Sequence, residues 1–243
     1  MAGAIGMSAV VFDDVHAQYG PYKALNGLTV TIADGESVAI LGRNGAGKST
    51  VARVASGLVP VASGRLEVLG RPVVRTAPHV LARMGVVHLP EGVGLFAGLT
   101  IEENLALRVG GSSRSARRRR LAMAIGGLNE ELRARRRTKA GLLSGGQQRL
   151  VAVTAALAAE PVLLLADEPA LGLAPAAGDA VYAALGRARD LGCALVVIET
   201  RLDRIGHLCS RAVVLDKGVV VYDATSADAS GILDAVTGRP GVR

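Results

Sequence analysis

Apolar runs and the breaks between them divide the chain before any motif is considered. Val10 to His16 reads as a first strand, and Gly27 to Ile32 and Ser37 to Leu41 as two more, with the tight-turn signal Asp34-Gly35 between the latter pair. Leu41 runs straight into a glycine-rich loop, and after Thr50 the pattern turns helical, from Val51 to Leu58. Pro60 and Ser63-Gly64 break that helix. A short strand follows at Arg65 to Leu69, and another within Leu81 to Leu89 ends at Pro90.

The middle of the chain has a different character. Thr100-Ile101-Glu102-Glu103 is a capping-box pattern, in which the Thr100 hydroxyl accepts from the amide of Glu103. Ala116 to Ala124 and Glu130 to Arg137 read as helices crowded with arginine. Strand patterns then return at Val162 to Ala166, Ala194 to Ile198 and Ala212 to Leu215, with helix between them from Ala177 to Leu191. Alternation of this kind predicts an open, mainly parallel α/β sheet. The expected division is one domain with a core over about 8–91 and 158–225, an inserted helical lobe over about 92–157, and a tail at 226–243.

Composition sharpens this picture in two ways. Half of the 243 residues are hydrophobic but only 2% are aromatic, so the core must be built from Ala, Val, Leu and Ile, as suits a sheet covered on both faces. The formal net charge of +7, nearly all from arginine, fits a nucleotide, an anionic surface or nucleic acid. No aromatics are interleaved with Arg117 to Arg120 or Arg135 to Arg137 to stack bases, and four consecutive arginines point all round a helix, so nucleic acid is not expected. Cys193 and Cys209 form no CxxC pair, and His16, His79, His88 and His207 have no metal-ligand spacing. Met1 to Ser8 does not read as a signal peptide. The longest apolar run, Leu150 to Ala166, is broken by Glu160-Pro161, so work at a membrane would need a partner.

The chemistry begins at Gly42-Arg43-Asn44-Gly45-Ala46-Gly47-Lys48-Ser49-Thr50, a G-x-x-x-x-G-K-[ST] loop between a strand and a helix. Glycines let successive N–H groups turn toward phosphate oxygens, and the helix N-terminus adds its positive dipole end. Lys48 would reach the β- and γ-phosphates, and Ser49 would offer its hydroxyl to Mg²⁺. Alone, the loop says only P-loop NTPase. The apolar run Val162 to Ala166 ends in Asp167, a candidate Mg²⁺ ligand, and Glu168, a candidate general base for the attacking water. Ser144-Gly145-Gly146-Gln147 opens another helical run and forms a second anion nest. One phosphate loop and one separate nest in a chain are reconciled by a dimer in which each nest closes over the other subunit's γ-phosphate.

With Leu143-Ser144-Gly145-Gly146-Gln147 lying between the phosphate loop and the Asp167-Glu168 strand, the sequence resembles the ATP-binding subunits of ABC transporters over nearly its whole length. That resemblance implies a RecA-like P-loop core with an antiparallel β subdomain and an inserted helical lobe. It also implies ATP and Mg²⁺ as cofactors and a head-to-tail dimer. Tyr19 matches the aromatic that stacks on adenine in the family. Leu89-Pro90-Glu91-Gly92, Leu99-Thr100-Ile101-Glu102-Glu103-Asn104-Leu105 and Asp167 to Pro175 are similar to the branched-chain amino acid importer branch, in particular to the second of its two ATP-binding subunits. There Glu often stands at the position of Glu91, where most relatives carry Gln. The resemblance implies a second ATP-binding subunit, two permeases and a substrate-binding protein as partners, at the cytoplasmic face of the membrane.

Departures from the family mark where it informs less. Most relatives carry a γ-phosphate-contacting His after the strand at 194–198; here Thr200 follows Glu199. Threonine can donate one hydrogen bond but carries no charge, so this chain's own site is expected to turn over more slowly than its partner's. Val93-Gly94 and Asn129-Glu130 depart from the branch pattern inside the helical lobe, which bears on the transported substrate more than on ATP chemistry. Uptake of urea or short amides, lipid export, and a soluble ABC ATPase in translation or DNA repair remain as alternatives. The last usually needs two cassettes or a long coiled coil, and Gly92 to Leu157 is too short for one. Lys48, Asp167 and Glu168 together argue against a catalytically dead binding module.

Overall fold

The computed structural model describes residues 8–92, 94–110, 113–200, 205, 207–225 and 228–237; Met1 to Met7, Val93 and the end of the tail lie outside them. An antiparallel sheet runs in the order β2 (Tyr22–Ala33), β1 (Ser8–Tyr19), β4 (Ser63–Val68), β5 (Arg71–Pro72). A second sheet runs β10 (Val219–Thr225), β9 (Arg211–Asp216), β3 (Ser37–Gly42), β8 (Ala194–Ile198), β7 (Leu163–Asp167), β6 (Val86–Leu89). Its neighbours are parallel except for β10 on β9.

The apolar runs are explained by two-sided burial. Every residue of β3, β7 and β8 is buried. Val38, Ile40, Leu163, Leu165, Val196 and Ile198 face the antiparallel sheet and α1 (Lys48–Ala55), while Ala39, Leu41, Leu164, Ala166, Leu195 and Val197 face the opposite layer. Successive residues of a strand point to opposite faces, so a strand sandwiched on both sides reads as continuously apolar.

Two sequence expectations change. The turn at Asp34-Gly35 does not close a hairpin, because β2 pairs with β1 while β3 lies between β8 and β9 in the other sheet. A strand apolar on both faces needs that covered position, which pairing with the half-exposed β2 would not provide. The helix expected over Glu130 to Arg137 stops early as α5 (Glu130–Ala134). The carbonyls of Arg136 and Thr138 instead accept from Glu102 and Ile101, at 3.0 and 3.1 Å. These are first-turn amides of α3 (Ile101–Arg108) that have no partner within their own helix.

The remaining helices are α2 (Pro78–Arg83), α4 (Arg114–Gly126), α6 (Gly145–Ala158), α7 (Pro175–Asp190) and α8 (Ala229–Thr237). Helix α6 ties the helical region to the sheet. Its Val151 and Ala155 pack with Ile101, Leu105, Leu128 and Leu132, while Ala152, Val153 and Ala156 pack on the β7–β8 side. The arginines of α4 are not equivalent around the helix. Arg117, exposed like Arg118 and Arg119, donates to the Ala106 carbonyl at 2.9 Å, and the half-buried Arg120 pairs with Glu160 at 2.6 Å.

Candidate functional site

Four strands adjacent in the sheet, β3, β8, β7 and β6, end at one edge. Ile40 lies opposite Ile198, Ile198 opposite Asp167, and Ala166 opposite Leu89. The residues just past those pairs are the glycine loop, Glu199-Thr200, Asp167-Glu168 and Pro90-Glu91. Ligands of open parallel sheets bind at such carboxyl ends. A cavity of about 570 Å³ opens there, lined by Ala24, Asn44, Gly45, Gly47, Lys48, Ser49, Thr50, Glu91, Glu168, Leu171 and Thr200.

Backbone geometry makes the loop a cradle. Gly42 and Gly47 have φ of 145° and 101°, and a Cβ would lie 2.3 Å from the Leu215 carbonyl oxygen at Gly42 and 2.5 Å from that of Ala24 at Gly47. Side chains are therefore excluded at both by backbone packing as well as by conformation. Helix α1 starts at Lys48 with neither a side-chain cap nor an acidic residue in its first turn, which leaves its N-terminal amides for an anion. Lys48 is buried, and its Nζ donates to the carbonyls of Gly42 at 2.9 Å and Arg43 at 3.1 Å. Burial lowers its pKa, opposed by the negative charges of Glu168, Asp167, Glu199 and Glu91.

The carboxylate side of the cavity is equally specific. Ser49 Oγ donates to Asp167 Oδ1 at 3.1 Å. Burial raises the pKa of Asp167, with the Ser49 hydrogen bond opposing it. Glu168 is also raised mainly by burial, with Lys48 opposing. Its φ of 43° is left-handed, a conformation that costs a non-glycine residue about 1–3 kcal/mol and gathers at functional sites. Its amide donates to the Ile198 carbonyl at 3.0 Å, which ties the strained residue to β8. The adjacent hydroxyl and carboxylate oxygens suit Mg²⁺, a hard cation that completes its shell with water and phosphate. No group of three or more His, Cys, Asp or Glu among the described residues could hold a metal, so such an ion would depend on those outside ligands.

The other sequence candidates divide by location. Ser144 caps α6: its Oγ accepts from the Gln147 amide at 3.3 Å, and Gln147 Oε1 accepts from the Ser144 amide at 3.1 Å. Space beside Gly145 is open, and none of Ser144, Gly145, Gly146 or Gln147 lines the cavity. Gly42 and Ala46 are buried beneath the loop, and Arg43 is exposed. Tyr19 does not line the cavity either; it is 40% exposed at the end of β1, with Arg53 Nη1 at 3.4 Å from its hydroxyl.

Two residues escaped sequence reasoning. Arg149, buried on α6, donates to the carbonyls of Pro90, Gly92, Asp167, Glu168 and Pro169 at 2.5–3.0 Å. One side chain thus joins the segment carrying Glu91 to the segment carrying both carboxylates. Its signal was a lone charge at the head of an apolar helix. Glu199, 4% exposed, directly follows β8, and the pattern of an apolar run closed by an acid, which it shares with Asp167 at the end of β7, could have singled it out.

The family described as ABC transporter matches residues 25–171. The high-affinity branched-chain amino acid transport ATP-binding protein BraG of Pseudomonas aeruginosa is 35% identical over 217 residues, covering 89% of this chain and 92% of that one. The probable branched-chain amino acid transport ATP-binding protein LivF of Archaeoglobus fulgidus is 30% identical, covering 87% and 90%. A dimeric ATP-binding cassette in a post-hydrolysis state, bound to ADP and Pi, superposes with a TM-score of 0.79 at 25% identity, covering 89% and 98%. With the cradle, the Ser49–Asp167 contact and Glu168 at one sheet edge, the chain belongs to the ABC transporter family as one of its ATP-hydrolysing cassettes.

Proposed function

We propose that this cassette energises an importer of branched-chain or other hydrophobic amino acids, working with a second cassette, two permeases and a substrate-binding protein. The observation that carries the ATPase chemistry is the meeting of Lys48, Ser49–Asp167 and Glu168 around one cavity. The solute class rests on the relatives named above, because solute-contacting surfaces belong to the partners. No helix among the described residues is long and apolar enough to cross a membrane. A second cavity, of about 780 Å³, lies between α1, α2 and β6 on one side and the end of α3 on the other, where the exposed Leu58 and Leu107 would receive a permease. That docking would place the chain at the cytoplasmic face. We divide the chain into a core over about 8–91 and 158–225 and a helical lobe over about 92–157, with α6 bridging the two.

In this reading the amides of Gly45 to Thr50 bind the phosphates, and Lys48 exchanges the carbonyls of Gly42 and Arg43 for the β- and γ-phosphate oxygens. Ser49 and Asp167 would hold Mg²⁺, which supplies charge neutralisation on those oxygens. Glu168 accepts the proton of the attacking water as the water oxygen bonds to the γ-phosphorus and the bond to the β-phosphate oxygen breaks. Thr200 donates to the γ-phosphate. Tyr19 stacks on adenine, and Glu91 links the cavity to the permease side. Ser144 to Gln147 complete the partner cassette's site.

The test is the reconstituted transporter. Lys48→Ala abolishes turnover at this site, and Glu168→Gln leaves ATP binding intact and traps a nucleotide-bound dimer on gel filtration. Unchanged turnover in Lys48→Ala would remove the cradle assignment. Uptake of labelled leucine, against urea and a short amide, decides the solute class.

A further inference from the structure

Glu199 is a buried carboxylate at the cavity edge with no role in the chemistry described so far. Its two oxygens serve two different elements. Oε1 accepts from the Tyr182 hydroxyl on α7, and Oε2 accepts from the amide of Thr200 at 3.2 Å. Its own amide donates to Ile40 on the cradle strand at 3.1 Å. Helix α7 follows the loop 169–174, whose Leu171 lines the same cavity, and Gly178 on α7 lies against Ala170 of that loop. Glu199 therefore joins the cradle strand, helix α7, which packs on the loop leaving the two carboxylates, and Thr200.

We propose that Glu199 is the positioning residue for Thr200: Tyr182 grips one oxygen, and the other holds the Thr200 peptide against the γ-phosphate end of the cavity. The inference rests on the ATPase reading of this site. Burying a carboxylate is costly unless its hydrogen bonds are satisfied, and an apolar residue would close the end of β8 at lower cost. A carboxylate can accept from two donors arriving from different elements. A threonine, carrying no charge of its own, is held by orientation alone, so fixing its peptide has most effect at this position. The field of Glu199 is also felt at Lys48 and Glu168, on the two sides of the cavity.

The experiment is a double-mutant cycle on ATP turnover in the full chain assembled with its partner subunits. Tyr182→Phe keeps the ring and removes the grip; Glu199→Gln keeps the shape and removes one acceptor. Each is expected to lower kcat about tenfold with KM for ATP held within about twofold, the mark of an interaction made in the transition state. In a Thr200→Ala background, Glu199→Gln should cause no further loss. Losses that multiply in the double variant, a KM increase at unchanged kcat, or wild-type turnover in both single variants would each overturn the proposal. Thermal midpoints near wild type show that the variants fold, and Tyr182→Phe carries the test if Glu199→Gln does not. Lys48→Ala in the same assembly separates the two readings. Dead Lys48→Ala with active Glu199→Gln sinks only the positioning role, whereas active Lys48→Ala sinks the ATPase reading and this proposal with it.

Discussion

Ser49 Oγ lies 3.1 Å from Asp167 Oδ1, although 118 positions separate the two residues in the chain. The first residue turns of α1 and the last residue of β7 are brought to contact by the parallel sheet. Asp167→Asn keeps the shape and removes the charge that a divalent cation needs. ATP turnover titrated with Mg²⁺ should then require about tenfold more metal or more, as loss of one anionic ligand dictates. An unchanged Mg²⁺ midpoint would place the metal elsewhere.

Thr200 lines the cavity at the position where the resemblance to the family implies a His in most relatives. Thr200→His restores a donor able to bear charge at the γ-phosphate, so single-site turnover is expected to rise several-fold, within the range of one charge-assisted hydrogen bond over a neutral one, about 1–2 kcal/mol. Measuring hydrolysis at this site in the assembled dimer decides it. No rise would remove the expectation that the two sites are asymmetric because of Thr200.

Arg149 satisfies five carbonyls from two segments of the site, 90–92 and 167–169. Arg149→Met fills much of the same volume but leaves those acceptors without their donor in a buried place. The expected loss is about 3 kcal/mol or more in urea unfolding, together with impaired turnover, since the backbone of Asp167 and Glu168 loses its brace. A variant as stable as wild type would show that water replaces the guanidinium.

His88 on β6 has a buried Nε2 with no hydrogen-bond partner among the described residues, and burial pulls its pKa from 6.5 to about 4. Below pH 6.5 the unfolded chain takes up a proton that the folded chain refuses. Stability from this group is therefore fully present above pH 6.5 and falls as pH drops toward 4, by at most about 3 kcal/mol. Burial raises Asp167 and Glu168, which act in the opposite sense, so the readout is a comparison with His88→Leu. The variant should show a flatter loss of urea midpoint between pH 7 and pH 4.5. Parallel curves would exclude His88 as the source.

Much of the site could be read from single stretches of chain. Residues 42–50 form their cradle from consecutive backbone amides, and the Thr100 cap lies within four residues of the group it binds; the Ser144 cap, equally local, lay inside what the sequence offered as an anion nest. The strand ends at Asp167 and Ile198 were visible because two-sided burial writes unbroken apolar runs. Strands β1 and β2 run on past the expected Val10–His16 and Gly27–Ile32 to meet at Tyr19 and Tyr22, because their ends beside that turn are polar and carry little apolar pattern.

Local order and nearest-neighbour chemistry thus determined the glycine loop between β3 and α1, the Thr100 cap and the alternation of strand and helix, because each depends on residues a few positions apart. Only the folded chain decided which sheet β2 and β3 join, that Arg117 and Arg120 reach Ala106 and Glu160, and that Arg149 and Glu199 are buried beside the site. Those outcomes depend on partners dozens of residues away. A hydrogen bond between remote side chains leaves no periodic trace in the sequence, and burial of a single charge is determined by what packs over it.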